Sequence, residues 1–264
     1  MSDRIFDPMQ PIRFGWNTFR DNLQFFVILM MIVGVLYNLP GLIFTTTFTL
    51  YGGALQSASP ETLLPIFLTM AIVSAVIYMV IELGLLQIAL SFRDGKVPDF
   101  KDLFEGYPLF LNYLIASIIY GLMVVVGLML LIVPGIYLGL KYQFYGYAIA
   151  DNGIGPIDAL KESGRMTEGA KQNLLIFWLT LYCGIIVIML GVLILIGIPI
   201  GIITAMISKE LLPFFAAASN IISGIASLLV IVPITKLATA DIYRILKGRL
   251  ASSQKSALPE DRTI

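Results

Sequence analysis

A chain of 264 residues with 58% hydrophobic and 13% charged residues cannot clothe a water-exposed surface, since soluble domains carry about 25% charged residues. Its 17 basic and 17 acidic residues cancel, so net charge points to no acidic or basic partner, and nucleic acid is not expected. Histidine is absent and Cys183 is the single cysteine, which removes the commonest general base, the commonest metal ligand and any intrachain disulfide.

The first twenty residues carry Asp3, Arg4, Asp7, Arg13 and Arg20 and do not read as a cleaved signal peptide. Ile12, Trp16 and Phe19 share one helical face, with Arg13 and Arg20 placed to snorkel toward headgroups. This predicts a short interfacial helix ahead of the first spanning run, 23–44. A second run covers 63–90, broken only by Glu82 and small polar groups. Between 98 and 107, Pro98-Asp99 starts a second interfacial helix with Phe100, Leu103, Phe104 and Tyr107 on one face and Lys101, Asp102 and Glu105 on the other.

A third run covers 113–133 and turns at Pro134-Gly135 into a fourth, 134–150, which contains Lys141 and sits at the lower length limit for a span. A re-entrant hairpin is the alternative for that segment. Gly153–Gly155 lacks the preceding strand and the Lys-Ser/Thr of a phosphate loop and reads as a turn. Tyr142, Tyr145 and Tyr147 read as an interfacial belt. A third interfacial helix, 156–171, places Ile157, Leu160 and Gly164 on one face and carries Lys161, Arg165 and Lys171 against Asp158, Glu162 and Glu168; because these acids cancel much of the attraction to anionic lipid, bracing of the hairpins is the favoured role of all three interfacial helices. The fifth and sixth runs are 174–198 and 213–238. The polar segment 247–264 is expected to be a disordered cytoplasmic tail, leaving 1–246 as one transmembrane domain.

The fold class expected is all-α: a polytopic transmembrane bundle of six spans, arranged as three helical hairpins with short interfacial helices and both termini inside. With six crossings, fourteen of the seventeen basic residues fall on one side and only Lys209 on the other, a positive-inside bias that makes the basic side cytoplasmic. Each hairpin opens near an Asn (Asn22, Asn112, Asn173) and breaks at Pro/Gly (Pro40-Gly41, Pro134-Gly135, Pro199 to Gly201), which suggests a threefold internal repeat.

The string Val133-Pro134-Gly135-Ile136-Tyr137-Leu138, followed by Gly155-Pro156-Ile157-Asp158-Ala159-Leu160-Lys161-Glu162-Ser163, resembles the YciC-like group of bacterial inner-membrane proteins. It is also similar to the membrane domain fused to some glycerophosphodiester phosphodiesterases. The resemblance covers roughly residues 110–200 and departs at Lys141, where that family leads one to expect apolar chain. It implies a multi-helix domain of the cytoplasmic (inner) membrane of a prokaryote, without a defined activity.

Charges inside hydrocarbon are costly, so Glu82, Lys141 and Lys236 each need an account. Lys236 lies near a helix end and is expected to snorkel. Glu82 and Lys141 sit at similar depth and are expected to face inward and pair, either fixing helix register or lining a polar cavity. Arg13, Trp16, Arg20, Lys101, Lys161, Arg165 and Lys171 are the candidates for interfacial or lipid contact. No catalytic constellation, cofactor motif or metal-ligand spacing is present in the sequence. The leading expectation is a non-catalytic membrane module that organises lipid or a protein partner, including a second copy of itself. The alternative is a small-solute or ion transporter working at Glu82 and Lys141.

Overall fold

The computed structural model describes residues 5–56, 59–207, 214–215 and 224–257. Lys209, the expected start of the sixth span at Pro213, and the chain beyond Ala257 lie outside them. The described residues are all-helical. In chain order the helices are α1 (Met9–Asp21), α2 (Leu23–Gln56), α3 (Pro60–Arg93), the single turn α4 (Asp102–Glu105), α5 (Phe110–Leu130), α6 (Ile132–Tyr142), α7 (Tyr145–Asn152), α8 (Pro156–Met166), α9 (Lys171–Val192), α10 (Ile198–Ile207) and α11 (Val232–Ala257).

Five stretches among the described residues are long and apolar enough to cross a membrane: Leu23–Thr47, Leu63–Arg93, Asp102–Leu130, Lys171–Thr204 and Gly224–Lys255. The predicted segment 134–150 is not one uniform helix. It divides between α6 and α7, with Gln143 and Phe144 outside both. Together these two helices nevertheless run antiparallel to α5 along its whole length. Gly127 lies against Gly135, where a Cβ on Gly127 would stand 2.9 Å from the Gly135 Cα. Further along, the Tyr120 hydroxyl donates to the Gly139 carbonyl at 3.2 Å, the Ser117 and Tyr145 hydroxyls meet at 2.9 Å, and Asn112 reaches the Ile154 carbonyl at 3.5 Å.

Several sequence expectations are corrected. Pro40-Gly41 is not a break, because α2 continues through Pro40 to Gln56. Pro199 to Gly201 lies inside α10, and a π-turn at Leu193–Gly197 joins that helix to α9. A helix in an apolar medium tolerates proline because neighbouring groups and local π adjustments satisfy the freed carbonyl. Only Pro134-Gly135 sits at a chain reversal, just after the extended Leu131. Tyr147 and the half-buried Tyr145 pack inside and do not form a surface belt. Finally, α11 continues to Ala257, so 247–257 is helical rather than a disordered tail.

Side-chain burial is lopsided along the bundle. Apart from Pro40 and Pro233, the buried apolar residues of α2 end at Val33, those of α3 begin at Ile81, those of α9 end at Leu181 and those of α11 run from Leu237 to Leu246. These positions share the end of the bundle where the N-termini of α2, α5 and α9 meet the C-termini of α3 and α7; we call it the basic end. At the other end Leu42, Leu64, Met129, Leu195 and Met206 are exposed.

Candidate functional site

The most distinctive site at the basic end is a cleft of about 470 Å³ bounded by α5, α6, α8 and the start of α9. Its construction begins at the C-terminus of α6. A helix ends with carbonyls that lack intrahelical partners, and the Lys141 carbonyl is one of them. It accepts from the Ser163 hydroxyl at 3.1 Å and the Thr167 hydroxyl at 2.9 Å, both carried on or just after α8. Ser163 also accepts the Phe144 N–H at 3.1 Å. Ser163 and Thr167 are fully buried, so this junction locks α8 across the end of α6.

Gly164 makes the locked arrangement possible. A Cβ there would lie 3.2 Å from Tyr142 Cε1 and 3.3 Å from Lys141 Cε, so the missing side chain lets both residues rest on α8. The Lys141 ammonium stands 5.0 Å from the Tyr142 ring centre. Across the cleft, Lys171 Nζ donates to the Tyr137 hydroxyl at 2.6 Å and lies 4.2 Å from its ring. Lys161 and Arg165 complete a set of four cations lining the cleft, against the single carboxylate of Glu168. Lys161 pairs loosely with Asp158 at 3.8 Å on the exposed surface. No carboxylate lies within salt-bridge range of Lys141, Arg165 or Lys171 among the described residues. The rest of the wall is apolar, from Ile119 and Met123 of α5 and Ile157 and Leu160 of α8. The site therefore joins positive charge to a greasy flank on a spanning helix.

The structure brings together Lys141, Lys161, Arg165 and Lys171. The remaining interfacial candidates do not line the cleft. Arg13 and Trp16 face outward from α1, Arg20 pairs with its neighbour Asp21 at 3.3 Å, and Lys101 sits 3.7 Å from Asp99. The Ile157, Leu160 and Gly164 stripe of α8 lines the cleft, while Ala159, Leu160, Ser163 and Met166 form its buried side.

The expected Glu82–Lys141 pair is not formed. Glu82 of α3 is paired with Lys236 of α11, and both are largely covered. Lys236 therefore does not snorkel freely. The interior of the bundle selects the cation on the helix packed against α3, and α11 runs beside α3 there, whereas Lys141 points to the opposite flank of α6. Tyr147 donates to the Lys236 carbonyl at 2.9 Å and holds α7 to the same level.

A second charged layer closes the basic end. Arg93 at the end of α3 pairs with the buried Asp241 of α11. Arg244 takes Asp94 with two hydrogen bonds of 2.8 and 2.6 Å and Asp151 at 2.7 Å. Lys247 also binds Asp151. Burial pushes the Asp151 carboxyl up, but hydrogen bonds from Arg244 and Lys247 outweigh it and hold the group below the usual carboxylate value. Hydropathy alone does not reveal this layer, because it places Arg244 and Lys247 together in the C-terminal tail beyond the sixth run. The usable signal was the i, i+3 spacing of Asp241, Arg244 and Lys247 on one helical face.

No family model, curated protein or solved structure matches this chain.

Proposed function

We propose that the protein is a non-catalytic, six-span membrane module that holds an anionic phospholipid by its headgroup in the Lys141–Lys161–Arg165–Lys171 cleft. The observation that carries this reading is the joining of three cations without carboxylate partners to an apolar wall on α5, within one concave site. A phosphodiester headgroup satisfies the cations through charge-assisted hydrogen bonds while an acyl chain lies along Ile119 and Met123. A water-soluble anion has no use for that apolar flank.

The six-span topology with both termini in the cytoplasm is part of the proposal. Its support is the alignment of α6–α7 with the full length of α5, which returns the chain to the basic end, together with the positive-inside bias. In that orientation the cleft opens at the cytoplasmic headgroup layer of a prokaryotic inner membrane. The resemblance of residues 110–200 to the YciC-like group is retained in the same spirit, resting on the Pro134-Gly135 turn and the α8 string.

The test is thermal unfolding in neutral detergent with added phosphatidylglycerol or phosphatidylcholine. Binding to the folded state raises the unfolding temperature. Phosphatidylglycerol should raise it for the wild type and do little for Lys141→Met combined with Arg165→Gln, while phosphatidylcholine should have a small effect on both. Equal stabilisation of both proteins by phosphatidylglycerol would reject the cleft as the site.

A further inference from the structure

The charge of the α5–α6–α8 cleft exceeds what one phosphodiester can answer. Four cations line it against Glu168, and Asp158 approaches Lys161 alone, so two positive charges remain after both acids are counted. A lipid with one phosphodiester brings a single negative charge and leaves the cleft positive. The cations also stand in two groups. In the first, Lys171 Nζ of α9 donates to the Tyr137 hydroxyl at 2.6 Å. Among the described residues Tyr137 gives its own proton to no acceptor, so this group offers a hydroxyl donor beside an ammonium. In the second, Lys141 lies over Tyr142 and against Gly164 of α8, the residue before Arg165. Tyr137 and Lys141 are four residues apart on α6, which spaces the two groups roughly 6 Å along that helix. A cavity of about 470 Å³ is of the size that encloses a whole small molecule and not one phosphate alone.

We infer that the cleft selects a lipid whose headgroup carries two phosphodiesters joined by a short bridge, one held at Lys171 and Tyr137 and the other at Lys141 and Arg165. Basic pockets between helices on the cytoplasmic side suit such headgroups, because each phosphate meets its own cations while the acyl chains stay in the bilayer. The inference rests on the reading of the cleft as a lipid site and adds a second phosphate position to it.

Native mass spectrometry of the full chain released from phosphatidylcholine nanodiscs tests this, with cardiolipin and phosphatidylglycerol present at equal phosphate. The wild type should retain one cardiolipin, enriched at least about fivefold over phosphatidylglycerol, the gain from one further cation engaged. Lys171→Met should remove that enrichment yet keep phosphatidylglycerol ahead of phosphatidylcholine. Lys171→Arg should restore it, and Tyr137→Phe should reduce it. Lys171 meets Tyr137 at an exposed position, so these changes leave the fold intact. Phosphatidic acid, which puts its extra charge on a single phosphate, should not match cardiolipin. Inorganic phosphate at constant ionic strength should displace neither lipid; displacement would assign the cleft to a soluble anion and overturn the inference. Phosphatidylglycerol preferred over phosphatidylcholine with no further gain for cardiolipin, or a cardiolipin preference that survives Lys171→Met or is matched by phosphatidic acid, would overturn the second phosphate position alone. No preference for any anionic lipid would overturn the lipid reading with it.

Discussion

Ser163 illustrates how much a single buried hydroxyl can organise. It bridges the Phe144 N–H to the Lys141 carbonyl, so Ser163→Ala leaves a buried donor without a partner. The expected cost is about 1–3 kcal/mol, measured by denaturant or thermal unfolding, with a matching loss of lipid stabilisation as α8 loosens. Asp151 makes a pH-dependent contribution. Its folded pKa is held below the unfolded value of about 3.9, so its stabilisation is present above that value and is lost as pH falls through the lower folded value. Asp151→Asn should therefore lower the unfolding temperature at neutral pH and converge with wild type in strong acid. Because the ion-pair cluster is only part-buried, the loss is set at roughly 1–3 kcal/mol, below the range for fully buried pairs. A constant difference at all pH values would contradict the assigned role.

At the scale of elements, close approach decides which helices are fixed. A Cβ on Gly84 of α3 would sit 1.9 Å from the Leu103 carbonyl oxygen of α4, a backbone atom that cannot rotate away. Gly84→Ala should destabilise by about 3 kcal/mol, whereas Gly121→Ala on α5, which meets nothing within 4 Å, should be neutral or slightly stabilising. Unfolding midpoints of the two variants make the comparison. The same scale separates what the sequence revealed from what it concealed. Hydrophobic length located α2, α3, α5 and α9, because sustained apolar runs have no other stable form in a membrane, whereas the sixth run at 213–238 meets only the first seven residues of α11, whose candidate span is Gly224–Lys255. Proline was misread at Pro40 and Pro199, since its helix-breaking rule weakens in an apolar surrounding. The proposed repeat gains nothing from its asparagines, which do unlike jobs: Asn22 caps α1 through the Thr18 carbonyl, Asn112 reaches Ile154 and Asn173 reaches Phe6. Lys161, Arg165 and Lys171 were legible as the cations of one mixed-charge segment, although Lys171 opens α9 and does not continue α8. Their convergence with Lys141 was not, because it depends on the α6–α8 junction. The partner of Glu82 was hidden for the same reason: depth can be counted along a sequence, but which helix lies alongside cannot.

For the whole molecule, the concentration of buried side chains at one end implies a tightly packed half and a half whose apolar helices face lipid. In the proposed topology the packed half is cytoplasmic. With Cys183 replaced by Ser, Ser91→Cys and Ser252→Cys should both react with an impermeant thiol reagent only after the cytoplasmic face is opened, while Ser59→Cys should react from outside. Labelling of Ser91→Cys from outside would reverse the orientation. The lipid cleft is the centre of the account, and native mass spectrometry of the protein released from nanodiscs of equal phosphatidylglycerol and phosphatidylcholine addresses it most directly. The wild type should retain phosphatidylglycerol in preference to phosphatidylcholine, and Lys141→Met with Arg165→Gln should lose that preference. Retention of the two lipids in equal amounts by the wild type, or an unchanged preference in the double variant, would contradict the assignment of the cleft.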